Sequence, residues 1–227
     1  DALRLVAVRG RLLQRMETGA MLAVMLPEAE LAPYLSMGCD LAAVNGPALC
    51  VLSGPVAVIE HIEQQLGKQG VECRRLHVSH AFHSRMTEEI CPVFVDAVAE
   101  IQRNPPKIPF FSNLSGDWIT DQEATSAEYW GRHLRGTVRF NDGLHRLLSN
   151  PAQVILEVGP GETLTTLARR HPLTKPQQSI LSSLPHPSKS QQTLKHLYSS
   201  LGKLWLNGVA IDWQGLYAHE NRHRTSL

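Results

Sequence analysis

Apolar and polar positions between residues 18 and 79 switch repeatedly between a strand period and a helix period. Ala20 to Met25 reads as a strand, and Pro27 to Leu35 as a helix with its proline tolerated in the first turn. Asp40 to Val44 and Leu49 to Leu52 read as two strands joined across Asn45-Gly46-Pro47, a tight-turn signal. Val56 to Leu66 puts Ile59, Ile62 and Leu66 on one helical face, and Val71 to Leu76 reads as a closing strand. Strand, helix, strand, strand, helix, strand is the order of a ferredoxin-like unit. The pattern therefore predicts a four-stranded antiparallel sheet with both helices on one side, where one sheet face needs cover.

The flanking segments have another rhythm. Asp1 to Met16 is helical in spacing, with Leu3, Val6, Ala7, Gly10, Leu13 and Gln14 on adjoining turns. It opens mid-helix without an initiator methionine, which leads us to expect a piece of something longer. Met86 to Ile101 repeats Ile90, Val93, Phe94, Ala97, Val98 and Ile101 at helical spacing. Ile108 to Asn113 and Gln153 to Val158 read as strands, with helices over 126–135, 140–149 and 162–170. That alternation predicts a parallel-sheet α/β body, 1–17 with 80–172, into which the 18–79 unit is inserted. From 173 to 227 the chain reads as a linker. Pro172, Pro176, Pro185 and Pro187 mark a polar connector, Gln191 to Leu206 an amphipathic helix, and Trp205, Ile211, Trp213, Leu216 and Tyr217 an apolar extended stretch before the polar His219 to Arg224. Its aromatic residues need cover, so docking onto a neighbouring domain is expected.

Composition narrows the class. At 227 residues and 43% hydrophobic, the chain is long enough to bury a sizeable core. Lysine and arginine number 22 against 21 acidic residues, without a basic tract or basic-aromatic interleaving, which argues against a nucleic-acid partner. Cys39, Cys50, Cys73 and Cys91 lack C-x-x-C spacing and read as reduced thiols of a cytoplasmic protein. No apolar run is long enough for a membrane span, and no signal-peptide pattern opens the chain.

Candidate chemistry centres on Leu76-His77-Val78-Ser79-His80-Ala81-Phe82-His83-Ser84-Arg85-Met86, a strand-to-helix junction with three histidines. Such a junction can hold a polar side chain over a cleft, so one histidine is a candidate acid/base group. Ordinary surface or half-buried imidazoles are the competing reading of the same residues. A metal site needs ligands in tetrahedral reach, and no H-E-x-x-H run supplies them, so no metal is expected. Gly159-Pro160-Gly161 lacks the spacing and lysine of a nucleotide loop and reads as a tight strand-to-helix turn. Arg9 stands in an apolar helical stretch, where it either snorkels or points inward to take a carboxylate through two parallel hydrogen bonds. No G-x-S-x-G elbow accompanies the histidines, so the residues offer a base without its nucleophile.

These segments together carry a resemblance. Asp1 to Arg11, Gly19-Ala20-Met21, Asn45-Gly46-Pro47, Val78 to Ser84, Glu157 to Gly161 with Thr163-Leu164, and the aromatic-rich end resemble the acyltransferase domain of a modular type I polyketide synthase and the linker after it. The resemblance implies a large α/β-hydrolase-like acyltransferase subdomain with an inserted ferredoxin-like subdomain. It also implies a serine in a G-H-S-x-G-E elbow upstream of Arg9, which these residues do not contain, so the chain alone is expected to be inactive.

Residue by residue, the resemblance makes His83 the catalytic base and Arg9 the clamp for the extender carboxylate. His133 takes a positioning place and Asn45 a structural one. His80 and Phe82 belong to the selectivity motif, His-Ala-Phe-His for malonyl against Tyr-Ala-Ser-His for methylmalonyl. Gly136-Thr137 departs from the family's usual residue-plus-proline form. The implied reaction moves a malonyl unit from malonyl-CoA to the phosphopantetheine thiol of an acyl carrier protein, with no intrinsic cofactor and with ketosynthase and other synthase domains as neighbours. Two other readings remain open: a docking fragment without activity, and a discrete acyltransferase serving modules in trans, which the long tail disfavours.

Overall fold

The computed structural model describes residues 1–218 and 220, so of the polar end from His219 to Arg224 all but Glu220 lies outside the described residues. Two compact units are formed, Asp1–Leu147 and Leu148–Leu227. In the first, α1 (Ala2–Leu13) precedes β1 (Gly19–Val24), α2 (Ala32–Leu35), β2 (Asp40–Gly46), β3 (Leu49–Pro55), α3 (Val56–Lys68) and β4 (Cys73–Arg75). The strands form one sheet in the order β2-β3-β1-β4 with every neighbouring pair antiparallel, the ferredoxin-like arrangement expected.

Alternation sorts the two faces of this sheet. Leu22, Val24 and Leu52 point to one face and join Ile59, Ile62 and Leu66 of α3 and Leu31 and Tyr34 around α2 in a buried core. Each such aliphatic side chain stabilises the fold by about 1.5–3 kcal/mol on burial. Met21, Ala42, Ala43 and Val51 point to the other face, where Leu76, Phe82 and Val138 pack on them. The helices thus cover one side, and the histidine segment lies across the other.

Several boundaries differ from the sequence reading for local reasons. The helix expected over Pro27 to Leu35 splits into a 3₁₀ turn, Glu28–Glu30, and α2, because Pro33 in the first turn of α2 has no N–H to continue a ladder. Strands β2 and β3 run further than expected and leave only Pro47 and Ala48 as the turn between the paired Gly46 and Leu49. Asn45 is a strand residue at a register shift.

Beyond β4 the chain makes a 3₁₀ turn, Arg85–Ile90, before α4 (Cys91–Ala99), again restarting at a proline, Pro92. The stretch Ile108 to Asn113, expected to be a strand, contributes only an isolated bridge from Phe111 to Trp118. Pro105, Pro106 and Pro109 remove the N–H groups a ladder would need. A capping box of Thr120 and Glu123 then starts α5 (Asp121–Thr125), and Ser126 caps α6 (Ala127–Arg135), which α7 (Phe140–Leu148) follows. Leu12 of α1, Phe94 and Val98 of α4 and Leu134 of α6 form a second core with Leu5 and Val8 against it. The packed stripe of α1 is thus Leu5, Val8, Leu12 and Leu13, with Leu12 buried, and Leu3 and Val6 of the expected face stand 86% and 68% exposed.

The second unit contains β5 (Ile155–Pro160), α8 (Thr163–Arg170), β6 (Ile180–Leu184), α9 (Thr193–Leu206) and α10 (Trp213–Leu216). Strands β5 and β6 are parallel, with Ile155 opposite Ile180 and Glu157 opposite Ser182. The stretch read as a polar connector therefore holds a buried strand. Its serines are satisfied internally: Ser182 Oγ donates to Glu162 Oε1 at 3.1 Å and lies 2.9 Å from His196 Nε2, and Ser200 Oγ donates to the Ser182 carbonyl at 2.7 Å. These bonds seat α9 on β6.

Gly159 and Gly161 take φ of 145° and 101°, values that favour glycine, and make the strand-to-helix turn expected. The Glu157 carboxylate accepts the N–H groups of Leu164 and Thr165 at 3.2 and 2.8 Å. The helix start is therefore filled by an internal anion and offers no phosphate cradle.

Candidate active site

His83 sits in the segment that crosses the open face of the four-stranded sheet. Its φ of 55° makes it, among the described residues, the one non-glycine residue in the left-handed region. Such a conformation persists only where the surroundings impose it. Here two fully buried hydroxyls do so: Ser84 Oγ donates to the Ala81 carbonyl at 2.7 Å and accepts the Met86 N–H, and Thr87 Oγ1 donates to the Ser84 carbonyl at 2.8 Å. The chain is folded tightly on both sides of His83.

The imidazole is held from the far side. His83 Nδ1 lies 2.9 Å from the carbonyl oxygen of Gly136, 53 residues later. A carbonyl only accepts, so Nδ1 carries the hydrogen and Nε2 keeps its lone pair. Gly136 caps α6, and the next residues are sewn to the edge of β2. Thr137 Oγ1 donates to Leu41 O at 2.6 Å, Val138 N–H to Ala42 O at 2.8 Å, and Val44 N–H to Val138 O at 2.9 Å. A Cβ on Gly136 would stand 2.5 Å from Leu114 Cδ1 and 2.9 Å from Arg132 O, so a larger residue would displace the carbonyl.

His133 of α6 meets His83 edge to face, ring centres 6.4 Å apart. Arg9 of α1 and His133 both line a cavity of about 410 Å³ whose walls include Leu5, Val6, Phe94 and Trp130. Arg9 Nε is buried there without a hydrogen-bond partner, a charged donor inside an apolar wall. His83 is pushed down from 6.5 to about 4, first by burial, with the Gly136 carbonyl opposing and the charges of His133 and Arg9 adding to it. His133 is pushed down by burial and by Arg9. Both rings are neutral near pH 7.

The structure thus gathers His83, His133 and Arg9. His80 has its Nδ1 2.8 Å from Ser79 Oγ and its ring 6.3 Å from that of Phe82. Phe82 packs on the sheet through Met21, Ala43 and Val51. His77 is exposed, and Asn45 lies on β2 next to Val44, whose N–H binds the Val138 carbonyl. Among the described residues no three His, Cys, Asp or Glu side chains come together as a metal cage. No helix among them is long and apolar enough to cross a membrane. Sequence reading missed Gly136, whose part is played by a backbone oxygen, and Ser84 and Thr87, whose hydroxyls act only on the backbone.

The family model described as the acyl transferase domain matches residues 1–210. The chain belongs to the acyl transferase domain family. Relatives of this acyltransferase chain include the spectinabilin polyketide synthase system protein NorB of Streptomyces orinoci, 34% identical over 100% of the chain and 11% of that protein. The polyketide synthase GfsB of Streptomyces halstedii is likewise 34% identical over 100% of the chain, which covers 4% of that protein. Among solved structures, the acyl transferase domain of ZmaA superimposes with a TM-score of 0.89 at 35% identity, covering 100% of the chain and 53% of that domain. The acyltransferase domain of the second module of the salinomycin polyketide synthase gives 0.87 at 38% identity, with the same coverage. The chain thus belongs with the acyltransferase domains of modular polyketide synthases and shares their α/β fold, and it spans a small part of the curated relatives and about half of the solved domains.

The neutral imidazoles give the chain a pH signature. Between 6.5 and about 4 the unfolded chain binds a proton at His83 that the folded chain refuses. The stability this ring contributes is therefore fully present above pH 6.5 and is lost as the pH falls toward 4, and His133 adds to the same slope. Thermal unfolding followed from pH 7.5 to 4 should show a shallower loss for His83→Gln than for the parent. Parallel curves would refute the burial of a neutral ring.

Proposed function

We propose that this chain is the histidine-bearing part of an acyltransferase that moves a malonyl extender unit from malonyl-CoA to the phosphopantetheine thiol of an acyl carrier protein in polyketide assembly. The observation that carries the reading is His83 Nδ1 pinned on the Gly136 carbonyl at 2.9 Å, which leaves Nε2 as the basic nitrogen of a ring that burial keeps neutral.

In this mechanism His83 Nε2 takes the proton of a serine hydroxyl that the chain does not itself supply. The serine oxygen attacks the thioester carbonyl and the carbon–sulfur bond breaks. The departing CoA thiolate then takes the proton back from Nε2. The second half repeats the steps in reverse, with the carrier thiol attacking the acyl-serine. Arg9 grips the free carboxylate of malonate through two parallel hydrogen bonds, which a planar guanidinium makes and an ammonium does not. His133 bounds the site on the α6 side and helps position the acyl group, and Asn45 keeps the β2 edge in register. No bound cofactor takes part. The partners are the carrier protein and neighbouring ketosynthase and other synthase domains, in the cytoplasm.

Within this reading residues 18–79 are the inserted small subdomain, 1–17 and 80–172 part of the large one, and 173–227 the linker that follows it, with β6 as an ordered strand inside that linker. Incubating the synthase that contains this chain with malonyl-CoA and its carrier protein, and following both by mass spectrometry, tests the reaction. A malonyl ester on serine that passes to the carrier supports it, and absence of any acyl adduct rejects it. Leu194, Trp205 and Leu206, at 65%, 58% and 77% exposure, favour a second reading, a docking fragment that holds synthase domains together. That reading is sustained if the adduct is absent and deletion of α9 disperses the synthase.

Selectivity gives a finer test. Phe82 fills space over the sheet beside His80, where a serine would leave room for a methyl branch. The double variant His80→Tyr with Phe82→Ser is expected to raise methylmalonyl over malonyl use by about tenfold, the scale of one methyl group in a pocket. Competition between the two CoA esters measures it, and an unchanged ratio would move selection elsewhere.

A further inference from the structure

Asp40 opens β2, 45 residues before Arg85 and 95 before Arg135. Its carboxylate is 13% exposed and takes four hydrogen bonds. Oδ2 accepts the Arg85 backbone N–H at 2.8 Å and Arg85 Nε at 3.1 Å, and Oδ1 accepts Arg85 Nη2 at 3.4 Å and Arg135 Nη2 at 3.2 Å. Those contacts fill the roughly four lone-pair sites of a carboxylate. The two arms end beside the two halves of one hydrogen bond. Arg85 lies just past His83, and Arg135 immediately precedes Gly136, whose carbonyl holds the imidazole.

We propose that Asp40 is a positioning residue for His83, clamping in one carboxylate the loop that presents the imidazole and the helix end that presents its acceptor. The inference rests on His83 acting as the base proposed above. A surface ion pair between flexible chains would have no such effect. Here the carboxylate is 13% exposed although Arg85 is 55% exposed, and it also binds a backbone N–H and ties down a loop whose left-handed residue needs outside support. Burial works to raise the Asp40 carboxyl, but the Arg85 hydrogen bonds and the Arg135 charge outweigh it and hold it below the usual carboxylate range, so the clamp is charged at neutral pH. The groups that face it are Arg85, Arg135 and Cys39, with Glu88 on the other side of Arg135, and those that face His83 are His133 and Arg9.

Nitrogen-15 spectra of histidine-labelled protein, with His83 assigned through His83→Gln, read the tautomer and titration of this one ring. In Asp40→Ala the Nδ1–H form should give way to a mixture and the ring should titrate nearer 6.5, while Asp40→Glu restores the parent behaviour. Arg135→Gln, which cuts only the α6 arm, should move both readouts in the same direction by less. In the synthase containing the chain, Asp40→Ala should lower kcat for malonyl loading about tenfold, one decade of transition-state stabilisation, and leave KM for malonyl-CoA unchanged. A folded Asp40→Ala protein with the parent tautomer and titration overturns the proposal. If that variant does not fold, parent-like spectra of Arg135→Gln overturn it instead. The spectra do not depend on turnover, so a failure of the acyl-transfer reading appears separately, as His83→Ala loading at the parent rate.

Discussion

His83→Ala, made in the synthase that contains this chain, is expected to cut acyl-serine formation from malonyl-CoA by at least about a hundredfold, the lower end for loss of a general base. The reasoning starts from the ring's hydrogen bonds. Nδ1 is committed to the Gly136 carbonyl at 2.9 Å, so the lone pair is on Nε2, and burial keeps the ring neutral at pH 7. A neutral ring in one tautomer is what proton abstraction from a serine requires. His77 is exposed, and His80 occupies a place where the resembling motif accepts tyrosine, a group with a pKa of about 10 that cannot take the serine proton near neutral pH. His77→Ala should therefore load malonate within a factor of about two of the parent, a surface substitution away from the chemistry. Rapid-quench measurement of the acyl-enzyme decides between them. Near-parent loading by His83→Ala would end the proposed mechanism.

The second large effect is expected at Arg9. Its guanidinium is carried on α1 into an apolar wall, where Nε finds no partner among the described residues. A buried, unpaired charged donor is costly, and an incoming carboxylate would relieve the cost while gaining a charge-assisted bond. Such bonds contribute about 1.5 to 3 kcal/mol, or about 10- to 150-fold in rate. Arg9→Ala should lower malonyl loading by that factor and leave acetyl loading, which lacks the carboxylate, nearly unchanged. Equal losses with malonyl-CoA and acetyl-CoA would show that Arg9 supports the fold instead of gripping substrate. Arg9→Lys should recover only part of the loss, because a single ammonium cannot make two parallel bonds.

The ferredoxin-like sheet was legible because Leu22, Val24, Leu52, Ile59, Ile62 and Leu66 follow strand and helix periods without interruption, and each is buried. β6 was not legible, because Ile180-Leu181-Ser182-Ser183-Leu184 lies among prolines and polar residues, and its serines look like loop residues. Ser182 is buried and Ser183 half-buried because Glu162, His196 and the β5 backbone satisfy them, partners that a one-dimensional reading does not supply. The opposite error arose at Ile108 to Asn113, where side-chain apolarity suggested a strand and the prolines prevented one. In the site, His83 and Arg9 were found by motif resemblance, and the structure adds what surrounds them. The left-handed backbone at His83, the carbonyl of Gly136 and the carboxylate of Asp40 come from residues 43 to 96 positions apart, brought together only by the sheet edge.

The parallel pairing of β5 with β6 matters for anyone exchanging acyltransferases between assembly lines. A chimera spliced near Pro172, where the prolines begin, would leave β5 with one parent and its partner strand with the other. Every register contact from Ile155 opposite Ile180 to Pro160 opposite Leu184 would then be heterologous. Because Ser182 and Ser200 also fasten α9 to that strand, the donor segment has to run through Leu206 for the transplanted piece to bring its own β6 and the helix seated on it.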